Sequence, residues 1–176
     1  MLPAQWTPEA AVITPAFVQT LAIYNAEVNR RWYAAAARLP DAARKADRGA
    51  FWASLHGTLA HILWADRMWM SRFAGWDKPA IAQAQSPTLY DDFAAMHEAR
   101  TTDDARIVAW AEALAQDWLD QDLTWFSGGV GREMRKPRGL LVTHMFNHQT
   151  HHRGQAHALI TAMGEATGDT DLPFVL

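Results

Sequence analysis

The chain has no cysteine. Disulfides, thiolate nucleophiles and cysteine-bound zinc or iron–sulfur centres are thereby excluded, and any metal must be held by nitrogen and oxygen. A bias of charge is missing too. The formal net charge is −3, from 16 basic and 19 acidic side chains, which gives no electrostatic footprint for DNA or RNA. No apolar run approaches the roughly 18 residues of a membrane span, so no membrane is expected as a partner. The opening stretch to Val18 carries Pro3, Glu9 and Pro15, with neither a basic start nor an apolar centre. A signal peptide is therefore not expected, and a cytoplasmic location is.

Several catalytic signatures are absent as well. There is no Gly-x-Ser-x-Gly elbow, no Walker A loop, no His-Glu-x-x-His and no Glu-x-x-His. These absences remove, in turn, the hydrolase serine, the usual phosphate cradle, the zincin base and a ferritin-like di-iron site.

What is present is an ordinary globular composition, with 49% hydrophobic and 20% charged residues in 176. That length suits one domain over residues 1–176. Nine tryptophans are many for one core and point to a homodimer, because aromatic side chains concentrate in interfaces.

The pattern predicts an all-α four-helix bundle. Thr14-Pro15, a capping hydroxyl before proline, starts helix one, which runs to about Leu39 before Pro40. Helix two is expected over about Asp47 to Phe73, ending at Gly75. Ser86-Pro87 repeats the start signal for helix three, which continues towards Trp118 with a kink or restart at Thr101 to Asp104. Leu123 to Phe126 and Arg132 to Lys136 flank Ser127-Gly-Gly-Val-Gly131 and read as a short β-hairpin inserted before the last helix. Helix four spans about Gly139 to Met163, and the tail from Gly164 is irregular.

Helix four carries the chemistry. His144, His148, His151 and His152 fall within nine consecutive residues. With His148 at zero on a wheel of 100° per residue, His152 lies at about +40° and His144 at about −40°. Leu141 and Leu159 lie at about +20° and Gln155 at about −20°, so the stripe is expected to face the bundle interior. His157 falls on the opposite side and is expected in solvent.

Imidazoles one turn apart can point at one atom, as metal sites require. Several buried imidazoles each need a polar partner, which favours a metal over a merely structural role. The wheel leaves open whether His144 and His148 or His148 and His152 form the pair. Helix two offers candidates for a third, but His56 and His61 lie about 140° apart, so at most one of them can join the pair, and a structural histidine there would be equally ordinary. His61 has small neighbours and flanks the apolar stripe. His97 has no partner at ligand spacing. Arg153 and Asp66 point away from the histidines, Arg153 towards a structural ion pair and Asp66 towards a packing or partner-helix role.

Two segments, Gly57-Thr-Leu-Ala-His-Ile-Leu-Trp-Ala-Asp-Arg-Met-Trp69 and His144-Met-Phe-Asn-His-Gln-Thr-His-His-Arg-Gly-Gln155, resemble the DinB/YfiT-like family, as do Tyr24-Asn25 and Asp171-Leu-Pro173. The resemblance runs over nearly the whole chain. It implies an up-down-down-up four-helix bundle, a divalent metal (commonly zinc or nickel) on His61, His148 and His152, and often a homodimer. Relatives include transferases and isomerases that use low-molecular-weight thiols on small-molecule substrates. A metal-dependent enzyme activating such a thiol, or water, is therefore the expected function. A non-catalytic metal- or small-ligand-binding module of a stress response is the alternative. His144, Gln155 and Asn25 are expected beside the ligands or in the pocket, where core polar groups bonding one another would look the same.

Overall fold

The computed structural model describes residues 13–176. Its four long helices are α1 (Pro15–Ala37), α3 (Leu55–Phe73), α4 (Phe93–Glu112) and α6 (Arg138–Ala162). Shorter elements are α2 (Asp41–Lys45), a 3₁₀ turn (Gln83–Thr88), α5 (Gln116–Leu119), the strands β1 (Asp122–Ser127) and β2 (Arg132–Pro137), and α7 (Leu172–Val175). In the bundle α1 packs on α4, and α3 on α6. The antiparallel hairpin pairs Trp125 with Met134 around the glycine turn and lies before α6, where the sequence pattern places it. No helix of the described residues is long and apolar enough to cross a membrane.

The helix starts follow from capping. Thr14 accepts from the Phe17 amide and Ser54 from the Gly57 amide, each satisfying an orphan donor of a first turn. Helix α3 begins at Leu55, eight residues later than the sequence pattern suggests. Residues 47–54 instead form a tight loop with Gly49 and Ala53 at positive φ and the Arg48 amide bonded to the Ala53 carbonyl. Gly57 lets that loop lie against α3, because a Cβ there would sit 2.6 Å from the Trp52 carbonyl oxygen.

Helix three also differs from expectation. Ser86-Pro87 lies inside the 3₁₀ turn, and the Ser86 hydroxyl bonds a histidine instead of capping a helix. The cap of α4 is Asp92, which accepts from the Ala95 amide. Helix α4 runs unbroken through Thr101 to Asp104 and stops at Glu112, while Trp118 belongs to the single turn α5.

Two apolar clusters fill the ends of the bundle. One gathers around Trp32, Leu59, Leu63, Met96 and Ile160, the other around Val18, Met70, Ile107, Val142 and Met145. Between them on the same four helices lies a buried polar layer of Asn25, Asn29, Asp66, Arg100, Asp104, Gln149 and Arg153. The helices are thus cemented by hydrophobic burial at both ends and by hydrogen bonds and ion pairs in the middle.

Candidate metal centre

Ser54 caps α3 less than two turns before His61, and Gly57 clears the space for Trp52 to reach it. The Trp52 indole stacks on the His61 ring at 4.1 Å between centroids, and Trp64 lies on the same ring at 6.1 Å. His61 is thereby 1% exposed and held in one orientation. Across the helix pair, α6 presents His148 and His152 one turn apart. The ring centroids of His61 lie 5.2 Å from His148 and 4.7 Å from His152. Each of the three offers one ligand nitrogen, and these nitrogens lie within 4.8 Å of one another.

Two of the three rings are hydrogen-bonded on their far side, and for His152 that bond fixes the tautomer. His152 Nδ1 sits 2.8 Å from Gln155 Oε1. That oxygen can only accept, so Nδ1 carries the proton and Nε2 keeps a lone pair. His61 Nδ1 sits 2.7 Å from the Ser86 hydroxyl, with its Nε2 turned to His148 Nε2 at 3.2 Å. Two lone pairs at that separation repel unless a proton or a cation lies between them. Supported outer nitrogens with converging inner ones are what a divalent ion needs, and the three residues fit such an ion.

Protonation does not compete strongly for the site. Burial, with the neighbouring histidines, pushes His61 down to about 3 and His148 down to about 4, and burial also lowers His152. All three imidazoles are neutral at pH 7, the form that ligates.

The other residues singled out in the sequence lie apart from one another. His144 is exposed one turn before His148, its ring edge-on to Trp69 at 5.2 Å. Gln155 holds His152. Asn25 lies inside the bundle and donates to the Gln149 side chain. His56 bonds the Tyr90 carbonyl at 2.7 Å and faces away from the cluster. Asp66 reaches its partner helix, pairing with Arg100 of α4 at 2.6 Å. His97 is half-buried against Tyr33.

Three expectations need correction. The α6 stripe carrying the histidines is the flank of the buried face. The centre of that face, marked by Val142, Met145, Gln149 and Ala156, lies roughly 100° round from His148. His157 is half-buried, stacked on Trp32 at 5.5 Å and hydrogen-bonded to Thr167. Arg153 makes no ion pair among the described residues. Its guanidinium lies over the Tyr24 ring at 5.4 Å, and burial lowers its pKa to about 10.

Sequence reasoning passed over Ser86 and Trp52. Ser86 read as a helix cap, and its pairing with a residue 25 positions earlier leaves no local pattern. Trp52 fell inside a segment read as helix. Only Gly49, three residues before it and a breaker within that segment, hinted at a loop there.

The match to a protein family agrees with this geometry. The DinB family matches residues 14–176, and the chain belongs to that family. No curated protein matches it.

Proposed function

We propose that this member of the DinB family holds a divalent ion, zinc or nickel, on His61, His148 and His152. On this reading it acts on a small electrophile with a low-molecular-weight thiol or water as nucleophile. The observation that carries the reading is the convergence of three neutral imidazoles within 4.8 Å, two of them tied by Ser86 and Gln155 at the opposite nitrogen. An ion with three nitrogen ligands keeps room for another and acidifies a thiol or water brought to it.

The protein's own part is orientation and exclusion of water. Ser86 and Gln155 set which ring nitrogen faces inward, and Trp52 and Trp64 seal one side of His61. Phe51, 73% exposed with its ring 6.4 Å from His152, offers an apolar surface at the mouth for an uncharged part of the substrate. The same reading makes the protein a cytoplasmic homodimer, supported by the exposed Phe17 and Ile23 on α1.

The alternative, a non-catalytic metal-binding module, is favoured by one feature. No carboxylate joins the three histidines among the described residues, so a base of the zincin kind is missing. Metal analysis of untagged protein comes first. About one equivalent of zinc or nickel per chain is expected, lost in His148→Ala with the helical spectrum kept. No metal after reloading sinks the proposal. A screen of metal-loaded protein against thiols and electrophiles then separates the two readings: turnover lost in His61→Ala supports the enzyme, and none with any thiol supports the module.

A further inference from the structure

Arg72 follows His61 on α3 by about three turns, which brings it back to within about 20° of the same face, roughly 16 Å along the axis. Its guanidinium lies over the Trp69 ring at 4.5 Å and 5.7 Å from the centroid of Trp125 on the hairpin. Trp69 in turn packs on His144, and the His144 ring lies 6.0 Å from that of His148. A continuous line of side chains therefore joins the histidine cluster to Arg72.

The arginines that bridge α3 and α4 have acidic partners: Arg67 of α3 pairs with Asp103, and Arg100 of α4 with Asp66 and, within its own helix, with Asp104. Arg72 has none. Every ion pair among the described residues leaves it out, and desolvation alone acts on its pKa, lowering it. It is half-buried, yet none of its nitrogens is among the fully buried atoms without a partner. Its N–H donors are thus reachable from solvent. A half-buried guanidinium, held by two indoles with its donors free, is prepared for an anion that arrives from outside.

We propose that Arg72 receives a carboxylate on the small molecule whose reacting end sits at the three histidines. One guanidinium balances one negative charge and matches a carboxylate's two oxygens in a fork, whereas a doubly charged phosphate would call for a second cation. The inference rests on the reading that the histidine centre acts on a small molecule. The substrate class it names is a carboxylic acid whose reactive group and carboxylate are separated by a chain of several atoms.

The first test uses the full chain without added metal. Hexanoate is titrated in while the indole N–H resonances of Trp69 and Trp125 are followed by NMR. Saturable shifts are expected in the native protein, weaker ones in Arg72→Lys and none in Arg72→Gln. Shifts that persist in Arg72→Gln, or no shifts in the native protein, overturn the carboxylate site.

The second test compares 8-mercaptooctanoate with 8-mercaptooctanol on zinc-loaded protein by calorimetry. The acid is expected to bind about tenfold more tightly. Arg72→Gln should abolish that preference and leave the affinity for the alcohol unchanged. A preference that survives the substitution breaks the link between Arg72 and the histidine centre. Failure of the protein to take up zinc, with the hexanoate shifts intact, brings down the metal reading and leaves the carboxylate site standing.

Discussion

Helix α3 contributes to two buried polar clusters that differ in one respect. Asp66 meets Arg100 of α4 at 2.6 Å, Arg100 meets Asp104 at 2.8 Å, and Asn29 of α1 donates to Asp104 at 3.0 Å. His61, about 140° round the same helix, meets His148 and His152. In the first cluster cationic and amide donors meet carboxylates, and opposite charges offset the cost of burial. In the second, like faces like. Three neutral rings converge through nitrogens that have no complementary partner in one another. A complementary cluster closes on itself and serves the fold, while a cluster of one kind leaves its lone pairs open to an ion from outside, as proposed above. Arg72 follows the second pattern, as a cation with no acidic partner among the described residues.

That comparison breaks first, and hardest, at Arg100. Replacing it by methionine leaves Asp66 and Asp104 buried without their cation and should cost about 3–5 kcal/mol of stability, read by urea denaturation of the metal-free protein. A loss below about 1 kcal/mol would remove the distinction, whereas His148→Ala under the same conditions is expected to leave stability little changed.

A smaller effect is expected behind the ligands. Ser86→Ala removes the hydrogen bond that orients His61 and should weaken zinc binding by about 10–100-fold, with the fold intact. Competition with a chromogenic chelator measures it, and an unchanged affinity would show that the Trp52 stack alone positions the ring.

Acidity separates the two clusters by sign, with the smallest effect. The histidines have folded pKa values depressed from 6.5 to about 3 and about 4, so the unfolded chain binds more protons between those limits. Their contribution is present above about pH 6.5 and is lost as the pH falls towards 4. Asp104 runs the other way. Burial, opposed by Arg100, raises its carboxyl from 3.8 to about 6, so its contribution is complete below about pH 3.8 and is lost as the pH rises through 6. Denaturation of metal-free protein across pH 4–7 should show a shallower loss on acidification in His148→Gln and a steeper one in Asp104→Asn. Parallel curves for both variants would refute the opposed signs.

Much of the fold could be read along the chain, because its signals are local. Thr14-Pro15, the glycine turn of the hairpin and the periodicity of α6 each act within a few residues. The errors lie where a distant group claimed a local one. Ser86 looked like a cap until His61 took its hydroxyl, and residues 47–54 looked helical until Gly57 made room for them to turn back over α3. The same holds for the site. Spacing brought His144, His148 and His152 to one stripe and left His61 a candidate third, and choosing His61, His148 and His152 among them took the resemblance to a family.

By itself the sequence determined that any metal must be held without sulfur, that the long segments are helices and that two imidazoles share one side of the last of them. Those properties follow from composition and from the 100° step of the α-helix. The tertiary structure decided which direction around α6 is the interior. It also decided that His61 alone of the α3 histidines faces the pair, that Ser86 and Gln155 support two of the rings, and that Arg72 has no acidic partner among the described residues. Such choices depend on which surfaces of separate helices meet, and no periodicity within one segment carries that information.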